Sequence, residues 1–151
     1  MSLELEIREK FRFYELNLEE KRKILKKIKE TLDNREEILL AVIYGSFLKD
    51  YPLRDIDVAV YISGKGDFLD YKFELDRILS EKIGYPVDVK VLNNAPAWFI
   101  LEVLENGKTV IERIPALTEK LYKKALDEKS YLKLGICSRS LTGYLFFNLS
   151  Y

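Results

Sequence analysis

The sequence predicts an α/β fold, a small mixed sheet of three to four strands flanked by helices. Three observations carry this. Helical and strand periodicities alternate along the chain, the strand segments are short and β-branched, and glycine, proline or asparagine punctuates most junctions. At 151 residues, the chain is long enough for one hydrophobic core.

Asn17 followed by Glu20 is a capping-box pattern, and Leu18, Leu25, Ile28 and Leu32 then recur at helical spacing, which predicts a helix over 18–33. Ile38–Tyr44 is apolar, rich in β-branched residues and ended by Gly45, the marks of a buried strand. Ser46–Lys49 predicts a short helical turn before the loop that holds Pro52, and Ile56–Ile62 reads as the second strand. Gly64-Lys65-Gly66 is a turn into the next element.

Over 67–83, Phe68, Tyr71, Leu75, Ile78 and Leu79 mark a helix with Gly84 at its C-cap. Pro86–Leu92 is a third strand and Asn93-Asn94 a turn. Pro96 opens a helix running to Asn106, in which Trp98 and Phe99, spaced with Ile100 and Val103, read as core. Lys108–Glu112 is a short fourth strand, and 115–129 is helical again. We expect one domain over 1–129. The apolar tail 130–151 is expected to pack on that domain or meet a partner chain.

Composition excludes several chemistries. There is no histidine, which removes His-based triads and the common zinc sets. A single cysteine, Cys137, leaves no intramolecular disulfide, so a cytoplasmic protein is expected. Lys+Arg and Asp+Glu are both 25, so no global basic field marks a nucleic-acid binder. The absence of histidine and glutamine beside abundant Glu and Lys resembles a thermophile's composition. Any metal here must take oxygen ligands, which points to Mg²⁺ or Mn²⁺.

The chemistry-bearing residues are Gly45, Ser46, Asp55, Asp57 and Asp88. Alternate residues of a strand share a face, so Asp55 and Asp57 project together if the strand begins by Asp55. Carboxylates about 4 Å apart repel by about 4 kcal/mol at an effective dielectric near 20, and a divalent cation relieves that. Asp88 lies between Val87 and Val89, where it joins a three-carboxylate site if the third strand lies beside the second. Gly45 permits a sharp turn, and the Ser46 hydroxyl with the N–H groups of a helical turn can hold phosphate oxygens.

Gly45-Ser46, Asp55-x-Asp57 and Asp88 together resemble the signature of the DNA polymerase β-like nucleotidyltransferase superfamily. Within it the chain resembles the minimal nucleotidyltransferases, the MntA-type antitoxins. That likeness extends through Leu92-Asn-Asn-Ala-Pro96 to the fourth strand. The resemblance implies a polymerase β-like nucleotidyltransferase fold and transfer of AMP from ATP to a hydroxyl. It implies that Gly45 and Ser46 hold the β- and γ-phosphates and that Asp55 and Asp57 bind two Mg²⁺ ions. Asp88 would help hold the ion nearest the attacking hydroxyl. The implied partner is a HEPN-domain toxin, modified on a tyrosine. Phe47 stands where many relatives carry arginine, and the loop before Asp55 is short. Those departures leave a second reading open, a non-catalytic module that binds the partner and carries a vestigial nucleotide site. A small-molecule nucleotidyltransferase or a templated polymerase fits less well, since the chain leaves little room for a further acceptor domain and shows no broad basic track.

Overall fold

The computed structural model describes residues 13–64 and 66–133. Four strands, β1 (Ile38–Tyr44), β2 (Ile56–Ile62), β3 (Val87–Val91) and β4 (Lys108–Glu112), form one sheet in the order β3-β2-β1-β4. The sheet is mixed: β1 pairs antiparallel with β2 and β4, while β2 and β3 run parallel. Four helices accompany it: α1 (Leu18–Asp33), α2 (Phe68–Ile83), α3 (Ala97–Asn106) and α4 (Leu117–Lys133). The parallel pair follows from chain logic, because α2 carries the chain back to the start of the sheet between β2 and β3.

Each face of the sheet is covered. Ile24, Ile28 and Leu32 of α1, with Leu75 and Leu79 of α2, pack on Ala41, Ile43, Val58, Val60 and Val89. On the other face Leu40, Val42 and Ala59 meet Leu92, Val103 and Leu117, which lie in or beside α3 and α4. Strands buried on both faces need continuous apolar sequence, which is why β1 reads Ile-Leu-Leu-Ala-Val-Ile-Tyr.

The ends of the elements are fixed by specific bonds. The expected capping box forms: Glu20 N donates to Asn17 Oδ1 at 2.8 Å, and Asn17 N donates to Glu20 Oε2 at 2.9 Å. At the other end of α1 the last turn has no basic residue of its own. Arg113, just past β4, supplies the charge from across the fold. Its guanidinium donates to the carbonyls of Ile38 (2.7 Å), Asp33 (2.8 Å), Arg35 (3.2 Å) and Leu32 (3.4 Å). Asn93 closes the far end of β2, donating to Ile62 O at 2.7 Å and accepting from Ile62 N at 3.0 Å.

Two details differ from the sequence reading. Trp98 is not core: it is 62% exposed, whereas Phe99 is half-buried. At the start of α3 it is Ala97, Leu101 and Val103 that face inward, which turns position 98 outward. Helix α4 spans Leu117–Lys133 rather than 115–129: Ala116 adopts φ 61, a left-handed turn just before it, and the helix continues into the segment expected as a tail from 130. The tail segment from 134 onward, and Cys137 with it, lies outside the described residues.

Candidate active site

The sheet's register assembles the site. Tyr44 of β1 pairs with Asp57 of β2, and Asp57 pairs with Asp88 of β3. Neighbouring strands lie about 4.8 Å apart, so these residues form a transverse row at one end of the sheet. Asp57 alternates with Ala59, which packs toward α3 and α4, so the row is presented on that face. Asp55 sits one residue outside β2, which begins at Ile56 through the bond from Ile56 N to Pro86 O (2.9 Å). It is nonetheless near enough for its charge to act on both Asp57 and Tyr44.

Gly45 follows Tyr44 directly and opens a 3₁₀ turn, Gly45–Leu48, as expected for the strand-to-loop junction. Its φ of 77° lies in the left-handed region, and a Cβ on it would stand 2.5 Å from Asp57 Oδ2. The glycine is therefore required twice, for the turn and for the carboxylate's place. Ser46 follows on the same turn, half-buried. Phe47 is 4% exposed and joins the core beneath the turn, with the Lys21 ammonium 5.6 Å from its ring centre.

The loop between the turn and Asp55 is short but held at two points. Leu53 exchanges backbone bonds with Tyr14 (2.7 and 3.0 Å), and Lys21 Nζ donates to Lys49 O at 2.6 Å.

The electrostatics show concentrated negative charge. Burial, then the charges of Asp55 and Asp88, push the Asp57 carboxyl up to about 6, against a smaller opposing pull from Lys90 and Arg54. Burial also raises the Tyr44 hydroxyl well above the usual phenol range, followed by the charges of Asp57, Asp88 and Asp55. Tyr44 pairs with Asp57 across the sheet, its ring edge-on to Phe99 at 5.7 Å between centres.

Asp88 has partners that the sequence did not foretell. Lys72 of α2 donates to Asp88 Oδ1 at 3.0 Å, and Lys90 lies 3.4 Å from Oδ2. Lys72 also bonds Asp76 Oδ2 at 2.6 Å, while Asp76 Oδ1 accepts from Val89 N, also at 2.6 Å, at the open edge of β3. The Lys72/Asp76 spacing of one helical turn was a visible sign of this pair; its convergence on Asp88 depends on how α2 lies along β3.

Among the described residues, no three histidine, cysteine, aspartate or glutamate side chains are gathered closely enough to hold an ion. In chemistry, though not in spacing as they stand, the donors fit a hard divalent cation: three carboxylates at one end of the sheet, with Asp57's charge opposed by its neighbours. Asp88 would exchange an ammonium for the ion.

Residues 26–115 match the family model described as polymerase beta, nucleotidyltransferase. The chain belongs to the polymerase β-like nucleotidyltransferase family. Its fold is that of several solved toxin–antitoxin proteins. A Shewanella oneidensis structure of a tri-AMPylated HEPN toxin in complex with MNT antitoxin matches at a TM-score of 0.63 and 21% identity, covering 83% of this chain and 98% of that one. The toxin–antitoxin MntA–HepT matches at 0.62 and 21%, with the same coverage. A toxin–antitoxin structure with AMP-PNP matches at 0.59 and 22%, covering 87% of this chain and 99% of that one. No match was found among curated proteins. No described helix is long and apolar enough to cross a membrane.

Proposed function

We propose that this chain is a Mg²⁺-dependent minimal nucleotidyltransferase of the cytoplasm that moves AMP from ATP to a tyrosine hydroxyl of a HEPN-domain toxin, as its antitoxin. The observation that carries this is the register that sets Asp57 beside Asp88, with Gly45 closing on Asp57. The likeness to MNT antitoxin, whose HEPN partner is tri-AMPylated, supports the choice of acceptor.

In this reading Gly45 and Ser46 bind the β- and γ-phosphates through the N–H groups of the 3₁₀ turn and the serine hydroxyl. Asp55, Asp57 and Asp88 would hold two Mg²⁺ ions, which supply neutralisation of the phosphate charge. The acceptor oxygen attacks the α-phosphorus, the bond from that phosphorus to its bridging oxygen breaks, and pyrophosphate leaves with the electron pair. Asp88 orients the acceptor hydroxyl, whose proton passes to solvent.

Incubation with α-labelled ATP, Mg²⁺ and the HEPN partner is expected to label the partner, and the Asp57→Asn variant to lose the label. No transfer by the wild type, or equal transfer by the variant, overturns the reading. The lysines on both Asp88 oxygens, and the burial of Phe47 away from any phosphate, favour a second reading, a partner-binding module with a vestigial site. It requires that partner inhibition survive replacement of Asp55 and Asp57 and the absence of ATP.

A further inference from the structure

Beyond Asp88 the sheet ends, since β3 is its edge strand, and a groove of 420 Å³ opens between the start of α2 and the β3–α3 connection. Its walls include Leu69 and Lys72 of α2, Lys90 of β3, and Pro96, Trp98 and Phe99 at the start of α3. Lys72 and Lys90 belong both to the groove and to Asp88, so the groove begins at the carboxylate row itself. Leu69 is 59% and Trp98 62% exposed, although each is large and apolar.

The order across the sheet decides which part of the reaction this groove serves. The phosphate turn follows Tyr44 on β1, Asp57 is on β2, Asp88 on β3, and the groove lies past β3. Displacement at phosphorus is in line, so the incoming oxygen must approach from the side opposite the departing pyrophosphate. With pyrophosphate held at Gly45–Ser46, that side is the edge beyond Asp88. The nucleoside, which leaves the phosphorus sideways to this axis, does not lie along it.

We infer that the groove seats the acceptor, and that it takes the phenol ring of a tyrosine side chain, with Trp98 as the ring's platform and Lys72 and Lys90 beside its oxygen. This rests on the adenylyl-transfer reading above. The apolar walls suit a flat ring, and aromatic pairs favour offset or edge-on contact. The charges are complementary as well. A phenol becomes more acidic as it attacks, and two ammonium groups at the groove's mouth favour the developing phenolate. A serine or threonine hydroxyl would reach the same phosphorus but leave the aromatic wall uncovered.

Trp98 is the chain's one tryptophan, so its emission reports on the groove without any turnover. Titration with N-acetyl-tyrosinamide is expected to quench or shift that emission saturably, in wild type and in Asp57→Asn alike, while N-acetyl-alaninamide does not. Mg-AMP-PNP added alone is expected to leave it unchanged. If AMP-PNP moves the emission and displaces the tyrosine amide, the groove holds the nucleoside and the inference fails. It fails also if the tyrosine amide has no effect. In turnover with the protein acceptor, Trp98→Ala is expected to raise the acceptor KM about tenfold, with the KM for ATP and the melting temperature unchanged. An unaltered acceptor KM overturns the inference while transfer by the wild type stands. Absence of any transfer by the wild type removes the underlying reading instead.

Discussion

Gly45 and Asp57 are held so close that no side chain fits between them: a Cβ at position 45 would lie 2.5 Å from Asp57 Oδ2. The contact couples the 3₁₀ turn to the acidic row through backbone geometry. Gly45→Ala therefore does two things. It strains a backbone at φ 77°, which costs about 1 kcal/mol, and it displaces the carboxylate. Nucleotidyl transfer is expected to fall at least about a hundredfold, as misplacing a reacting group does, with a loss of only a few degrees in Tm. Steady-state kinetics with labelled ATP beside a thermal melt separates the two effects.

Asp57 also sets a pH dependence in the metal-free protein. Its carboxyl is raised to about 6 by burial and by Asp55 and Asp88, against about 3.9 in an unfolded chain. A carboxyl raised on folding binds its proton more tightly in the native state. Its ionisation thus opposes folding: the cost is absent below about pH 4, grows between about 4 and 6, and is complete above that range. The unscreened cost would be about 3 kcal/mol, and solvent at this half-buried group reduces it to about 1 kcal/mol. With EDTA present, Asp57→Asn is expected to be more stable than wild type at pH 8 and equal to it at pH 4. Added Mg²⁺ should reverse the order at pH 8, because only wild type gains from the ion. Denaturant melts over this pH range check both.

Much of this site is legible in the sequence because strand alternation is strict. Asp57 and Asp88 each stand in an apolar strand, so both must face one side, and a parallel register then places them as neighbours. Gly45 is legible as a turn, but its contact with Asp57 depends on how β1 and β2 pair. Lys72 and Tyr44 were hidden for a different reason. Tyr44 reads as the last residue of a buried strand, and Lys72 as one of many charges on an amphipathic helix. Only the packing of α2 along β3 brings Lys72 to Asp88. Trp98 misleads in the opposite sense: helical spacing near Ile100 and Val103 marks a core residue, yet the helix turns that position to solvent.

Arg113 ties the C-terminal end of α1 to β1 and β4 through charged bonds to backbone carbonyls. A cation at the negative end of a helix dipole adds to those bonds. Arg113→Lys is expected to cost about 1 kcal/mol in stability and Arg113→Ala about 2 kcal/mol, because an ammonium is a compact point donor without the planar fork that spans four carbonyls. Transfer activity well below the melting temperature should be unchanged, since the contacts lie at the opposite end of β1 from Tyr44. Urea midpoints and kinetics on the same samples test this.

Ala116 holds a left-handed φ of 61° at the turn into α4, a conformation that costs a residue bearing a Cβ about 1 kcal/mol. Glycine relieves that strain but enlarges the freedom of the unfolded chain, so the net gain for Ala116→Gly is about 0.5 kcal/mol. A small rise in urea midpoint with an unchanged m-value would agree. A fall in the midpoint would show that the turn is not strained.

Lys72 occupies the Asp88 oxygen that a cation at the proposed metal site would take. The ammonium stands 3.0 Å from Oδ1 and 2.6 Å from Asp76 Oδ2, so the bond to Asp76 keeps it near Asp88 when an ion takes its place on that oxygen. Removing it by Lys72→Met should leave Asp88 freer and lower the local positive charge. Unit charges about 4 Å apart interact by about 1 kcal/mol even when screened as in bulk water, so removing the ammonium is worth at least about fivefold in cation affinity. Mg²⁺ binding by calorimetry is therefore expected to tighten at least about fivefold in Lys72→Met and to be lost in Asp88→Asn. Turnover should move the other way, falling about tenfold in Lys72→Met, because the attacking phenol loses a cation beside its oxygen. An increase in both Mg²⁺ affinity and turnover would mean that Lys72 only blocks the site.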